Sequence, residues 1–193
     1  MFVSDVMAQR VFKRDLGFTL IELMVTVAVL TIVLTVAIPS FTNLINGNRL
    51  TSQANELLSA MSFARSEAIR LNRNVILCHS ANSNSCSEPA GGEWAGWIVM
   101  EQGGDTVLAT GLIHNQLVAR ASPALTSSSF SIRYNSQGFI RHPNNNNLLS
   151  ASIRVCSPSG RPNPNARDVQ FISGGRVSIT PIHDDSCGTP GNS

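Results

Sequence analysis

The 21 residues from Phe18 to Ile38 read FTLIELMVTVAVLTIVLTVAI, an apolar run broken only by threonines and by one acid, Glu22. At 1.5 Å of rise per residue such a run reaches ~30 Å as a helix, enough to cross the hydrocarbon of a bilayer. The residues before it are polar and basic, with Arg10, Lys13 and Arg14 close to the apolar boundary. A positive flank on that side predicts a cytoplasmic amino terminus and an exported remainder. Glu22 is the costly residue, because a carboxylate near the bilayer centre costs ~2.5–3.5 kcal/mol. Either it lies close to the interface and is tolerated, or it meets a specific cation in the membrane or in a bundle of such helices. A secretory signal would end in a small-residue cleavage site after the apolar stretch, and Ala37-Ile38-Pro39-Ser40 fits that poorly.

The order Gly17-Phe18-Thr19-Leu20-Ile21-Glu22-Leu23 resembles the processing motif of the type IV pilin and pseudopilin superfamily. The resemblance implies that a membrane peptidase cuts after Gly17 and that Phe18 becomes an N-methylated terminus. It implies that Glu22, then the fifth residue, pairs with the terminal amine of a neighbouring subunit during filament assembly. An α-amino group is the kind of cation that offsets an acid in hydrocarbon. Pro39 matches a position where helices of this superfamily often bend, and a proline there removes one helical hydrogen bond.

Beyond the membrane segment a second helical pattern runs to about Asn72. Leu50, Ala54, Leu57, Met61, Ala64, Ala68 and Leu71 recur at steps of three and four and form one apolar stripe. Arg49, Gln53, Glu56, Arg65, Glu67 and Arg70 fall off it. Three heptads rich in alanine favour packing on a sheet over a coiled coil, with Met61 and Phe63 as core filler. Asn46-Gly47-Asn48 interrupts the pattern and suggests a kink or a looser turn.

After Asn74 the period changes to that of strands. Val75-Ile76-Leu77 precedes Cys78, and Trp97 to Met100 leads through Gly103-Gly104-Asp105 to a hairpin partner over residues 106–113. Phe130, Ile132 and Tyr134 alternate before the turn 135–138. Ile153 and Val155 alternate before Cys156, and Val169 and Phe171 lead through Ser173-Gly174-Gly175-Arg176 to a final hairpin. The fold class expected is α+β, a long amino-terminal helix packed on antiparallel β-sheet. The chain then divides into a leader (1–17), a transmembrane helix (18–38), an amphipathic continuation (39–72) and a β-rich globular domain (73–193) whose tail from Gly188 to Ser193 frays. This half resembles the GspH/FimT branch of minor pilins and pseudopilins. Val75-Ile76-Leu77-Cys78 with Cys86, Trp94-Ala95-Gly96-Trp97-Ile98-Val99, Tyr134 to Gly138, Ile153 to Cys156 and Ser173 to Val177 carry the resemblance. It implies a structural subunit of a type IV pilus, active in assembly initiation near the tip, or a type II secretion pseudopilin. The partners implied are other minor and major pilins, the prepilin peptidase and the inner membrane.

Charged residues make up 13% of the chain, about half the usual ~25%, which suits a partly embedded protein. Cys78, Cys86, Cys156 and Cys187 all follow the apolar run, and an even number in an exported domain points to two disulfides. Of three pairings the sequence-local set, Cys78–Cys86 with Cys156–Cys187, is favoured over the others. Zinc would want a short C-x2–4-C pair or a paired histidine, and the sequence has neither. His79, His114, His142 and His183 are scattered without ligand spacing, and no nucleophile elbow, P-loop or dinucleotide fingerprint occurs. The expectation is therefore no enzyme, no catalytic residues, no metal and no cofactor. Some FimT-like proteins bind DNA through a Gly-Arg-x-Arg motif, and the matching positions here read Gly175-Arg176-Val177-Ser178. Losing the second arginine removes one phosphate contact. DNA binding by Arg176, supported by Arg161, Arg167 and Arg154, is the alternative reading and is not favoured.

Overall fold

The computed structural model describes residues 17–104 and 106–193. The leader up to Leu16, with its basic flank Arg10, Lys13 and Arg14, and the turn residue Asp105 lie outside the described residues. The chain divides after Ser40 into two compact units.

The first unit carries the beginning of helix α1 (Leu20–Leu71). Its amino-terminal run is rich in valine, isoleucine and threonine, which lose side-chain freedom in a helix. In an apolar medium the alternative is worse, because backbone groups without internal partners go unsatisfied. The threonines follow the same logic. Thr26, Thr31 and Thr35 each donate a hydroxyl to a carbonyl three residues back, at 2.8, 2.8 and 2.7 Å, so these three hydroxyls are satisfied within the helix. This window has a mean hydropathy of 2.5 and none of it is buried. A core helix of similar composition would be covered by the rest of the chain.

The second unit begins at Phe41 and contains the remainder of α1 with two antiparallel sheets. One has five strands in the order β3-β2-β1-β5-β6: β1 (Val75–His79), β2 (Gly96–Glu101), β3 (Val107–Leu112), β5 (Ser131–Tyr134) and β6 (Ile140–Arg141). The other runs β4-β7-β8-β9: β4 (Val118–Ala121), β7 (Ala151–Cys156), β8 (Ala166–Phe171) and β9 (Val177–Ile182). A short helix, α2 (Pro123–Ser127), joins β4 to β5. The α1 stripe of Leu50, Ala54, Leu57, Met61, Ala64 and Ala68 is fully buried. It shares one core with Val75, Leu77 and Val99 of the first sheet and with Ile153, Val155, Val169 and Phe171 of the second. Burying each of the larger side chains contributes ~1.5–3 kcal/mol.

Four details depart from the sequence reading. Helix α1 continues through Asn46-Gly47-Asn48 without a break. A side chain at Gly47 would meet the Pro162 ring at 3.3 Å, so the glycine serves close approach of a loop. Phe63 is not core filler but stands 37% exposed, since it falls one position off the buried row. Gln53 is buried although polar. Its amide donates to the Leu112 carbonyl at 3.3 Å and its carbonyl accepts from the His114 N–H at 2.9 Å, which ties α1 to the segment after β3. The tail over 188–193 is tied down where fraying was expected. Ser152 Oγ donates to the Gly191 carbonyl at 2.6 Å, Asn192 Oδ1 accepts from the Ala124 N–H at 2.9 Å, and Ser193 Oγ donates to the Ala151 and Phe171 carbonyls.

Candidate functional site

The amino-terminal candidates sit at the start of α1. Gly17 and Phe18 precede the helix, and Phe18 is 84% exposed. Among the described residues nothing lies within 4 Å of where a Gly17 side chain would project. Thr19 caps the helix: its Oγ1 accepts the Glu22 N–H at 3.3 Å, and its carbonyl accepts the Leu23 N–H at 3.1 Å. Thr-x-x-Glu in this position is half of a capping box, a local signal that the sequence reading passed over. Glu22 therefore lies in the first turn, where the helix dipole favours an anion. Its side chain is exposed and makes no ion pair among the described residues.

In the globular unit the sulfurs join as Cys78–Cys86 and Cys156–Cys187. The first disulfide closes the loop after β1. The second fastens the segment after β9 to the end of β7.

The four arginines considered for DNA do not converge. Arg176 is exposed and directly precedes β9, after the turn at 173–175. Gly175 takes φ +81° there, with the Gly138 carbonyl and the Arg65 guanidinium where a side chain would be. Arg167 pairs with Pro181 while Phe171 pairs with Val177. Four rungs, about 13 Å of strand, thus separate Arg167 from the Arg176 end. Arg167 also donates to the Pro164 and Ala166 carbonyls, and burial lowers its pKa. Arg161 is exposed in the loop joining the far ends of β7 and β8. Arg154 is committed to an ion-pair triad, with Nε and Nη2 on Asp168 and Nη1 on Asp184.

Of the polar run His183-Asp184-Asp185, the triad takes Asp184. The Asp184 carboxyl is held down to about 2, first by the Ser186 hydroxyl, then by the N–H groups of Ser186 and Gly188 and by Arg154, against the opposing effect of desolvation. Its oxygens are already occupied. His183 meets Asp185 at the surface. His79 is buried, and its Nδ1 donates to the Ser87 carbonyl at 2.7 Å with the Trp94 ring edge-on. It braces the disulfide loop. Among the described residues no three histidine, cysteine or carboxylate side chains are grouped to hold a metal.

These features define the class of prepilin-like subunits, an amino-terminal apolar helix leading into a helix-on-sheet domain. Residues 53–175 match the family model described as type II transport protein GspH, and residues 12–38 match the prokaryotic N-terminal methylation motif. The first match spans more than half of the sequence, and the chain belongs to the GspH family. Two crystal structures of the type IV minor pilin FimU from Pseudomonas aeruginosa share the fold, with TM-scores of 0.50 and 0.51 at 19% and 20% identity. The matches cover 72% and 73% of this chain and 100% and 96% of those chains. Among curated proteins none matches this chain.

Proposed function

We propose that the protein is a minor type IV pilin, a non-enzymatic structural subunit that helps to initiate pilus assembly near the tip. The observation that carries this reading is the methylation-motif match over residues 12–38, placed on an unburied apolar helix with one acid in its first turn. On this reading residues 1–17 are a leader removed by the prepilin peptidase after Gly17, and Phe18 becomes the methylated terminus. The first half of α1 anchors the subunit in the inner membrane, amino terminus cytoplasmic and globular domain periplasmic. Once assembled into an extracellular pilus, that segment packs in the filament core beside other minor and major pilins. Glu22 accepts the terminal amine of a neighbour, which supplies the cation that a carboxylate needs in a low dielectric.

Replacing Glu22 by alanine tests the assignment. Cleavage after Gly17 stays intact while recovery of the subunit in sheared filaments falls. Normal recovery would remove Glu22 from the assembly contact. A second reading, a pseudopilin of a type II secretion system, draws on the description of the family itself. Deleting the gene separates the two: loss of surface pili supports the pilus, and loss of secreted enzymes with pili intact supports the pseudopilin.

A further inference from the structure

Most cations of the globular unit have their own partners. Arg70 pairs with Glu67, Arg73 with Glu101, Arg120 with Glu93, and Arg154 with Asp168 and Asp184. Arg49 donates to the Gln116 amide and Arg65 to the Gly175 carbonyl. Arg133 and Arg141 combine two features. They face each other directly across β5 and β6, as Arg120 and Arg154 do across β4 and β7, but whereas those two each have a carboxylate, neither Arg133 nor Arg141 pairs with one among the described residues. Like charges opposite one another across strands are destabilising. Burial first, and then the charge of Arg141, lower the Arg133 pKa.

The 142–147 loop holds this unfavourable pair in place. Asn146 accepts from Arg133 Nη2 through its side chain at 2.6 Å and from Arg141 Nη1 through its carbonyl at 3.1 Å. The Pro143 carbonyl takes Arg133 Nη1 at 3.5 Å. A guanidinium carries five N–H donors, so most of the donors of the pair stay unused, and both Nε atoms are buried without a partner. Apolar surface adjoins the cations. Phe139 is 41% exposed with the Arg141 guanidinium 6.0 Å from its ring centre, and Leu148, bridged to Arg141, is 60% exposed.

We propose that Arg133 and Arg141, framed by Asn146, form a docking site for an acidic segment of a partner protein. One carboxylate sits across the two guanidiniums in the forked geometry that arginine favours, and a neighbouring apolar side chain of the partner rests on Phe139 and Leu148. A nucleic acid fits less well. A polyanion needs a track of cations. Arg70, Arg73, Arg120 and Arg154 are paired with carboxylates, and Arg161 and Arg167 lie toward the other end of the second sheet, which leaves Arg176 as the exposed arginine at the turn beside Gly138. The site is built from residues of the second unit alone and does not depend on the filament reading.

The test uses the full chain in uncharged detergent micelles with fluorescein-labelled hexaglutamate as probe, inorganic phosphate as competitor and an oligothymidine as the polyanion. Hexaglutamate binds saturably. Arg133→Gln and Arg141→Gln each weaken it by about tenfold or more, as expected when one arm of a charge-assisted fork is lost, and Arg141→Lys weakens it less. Arg70→Gln, a charge control at a site already paired, leaves it unchanged. Arg141→Gln relieves like-charge repulsion, so its melting temperature equals or exceeds that of the parent, whereas a purely structural arginine would lower it. No binding of hexaglutamate, undiminished binding by Arg141→Gln, or a lowered melting temperature overturns the proposal. Displacement by phosphate at concentrations matching the peptide reduces the site to a small-anion site, and tighter oligothymidine binding through the same two arginines reassigns it to nucleic acid. Either result also overturns the acidic segment as occupant.

Discussion

Arg154 holds Asp168 through two parallel hydrogen bonds, Nε to Oδ1 at 2.7 Å and Nη2 to Oδ2 at 2.9 Å, across neighbouring strands of the second sheet. The register places the two residues directly opposite, so the sheet itself sets the fork. Asp168 is only 6% exposed. Replacing Arg154 by methionine leaves a covered carboxylate without its cation, which costs about 3 kcal/mol. Adding Asp168→Leu to that variant recovers most of the loss, because an apolar pair needs no compensation there. Denaturant unfolding of both variants in micelles measures the difference, and equal stability of the two would show that the pair contributes nothing.

The same arginine reaches Asp184, whose carboxyl is held to about 2 against an ordinary value of 3.8. A folded carboxyl that binds its proton less tightly than the unfolded one stabilises the fold while ionised. That contribution is present above about pH 4 and is lost as pH falls toward 2. Asp184→Asn is therefore less stable than the parent at pH 6, and the two converge near pH 2. Melting curves taken across that window show the convergence, and a constant gap would mean that the carboxylate charge is irrelevant.

The two disulfides differ in the length of chain they close, eight residues of separation for Cys78–Cys86 and 31 for Cys156–Cys187. Loop-closure entropy assigns them about 2.5 and 3.7 kcal/mol. The second also fixes the segment that presents Asp184 to Arg154. Paired serine replacements accordingly destabilise the domain more at Cys156 and Cys187 than at Cys78 and Cys86. The order of unfolding midpoints reads this directly, and the reverse order would place the stabilisation in the native packing of the first loop.

The α1 stripe was legible because a repeat of three and four marks a buried helical row whatever it packs against, and the hairpins were legible from alternation and glycine turns. What stayed hidden depends on register and on long-range contacts. Arg154, Arg161, Arg167 and Arg176 look clustered along the chain, yet β8 and β9 pairing puts Arg167 and Arg176 toward opposite ends of one hairpin. The tail reads as loop because its ties are side chain-to-backbone bonds reaching residues 22 to 68 positions away, which leave no local pattern. Residues 118–121, Val-Ala-Arg-Ala, are too short and too rich in alanine to declare β4. Gln53 gave no signal either, since one buried amide satisfied by a carbonyl and an N–H is compositionally ordinary.

Glu22 stands at the helix start and is also the residue proposed for the assembly contact, and one substitution separates the two. Its N–H is capped by Thr19 Oγ1, and its position in the first turn suits a negative charge near the helix amino terminus. The proposed assembly contact needs the charge itself, opposite an amine of the neighbour. Glutamine keeps the size, the backbone N–H for the Thr19 cap and the hydrogen-bonding end group, and it removes only the charge. Glu22→Gln should therefore leave helix content in micelles unchanged by circular dichroism. Its recovery in sheared filaments should fall about tenfold or more, since deleting one partner of a buried ion pair costs ~3–5 kcal/mol. Thr19→Val loses the cap and keeps the charge. It should weaken the first turn by about 1 kcal/mol, with filament recovery close to that of the parent. If the glutamine variant assembles normally while the valine variant fails, Glu22 serves the helix end alone, and the cation that draws subunits together lies opposite another residue.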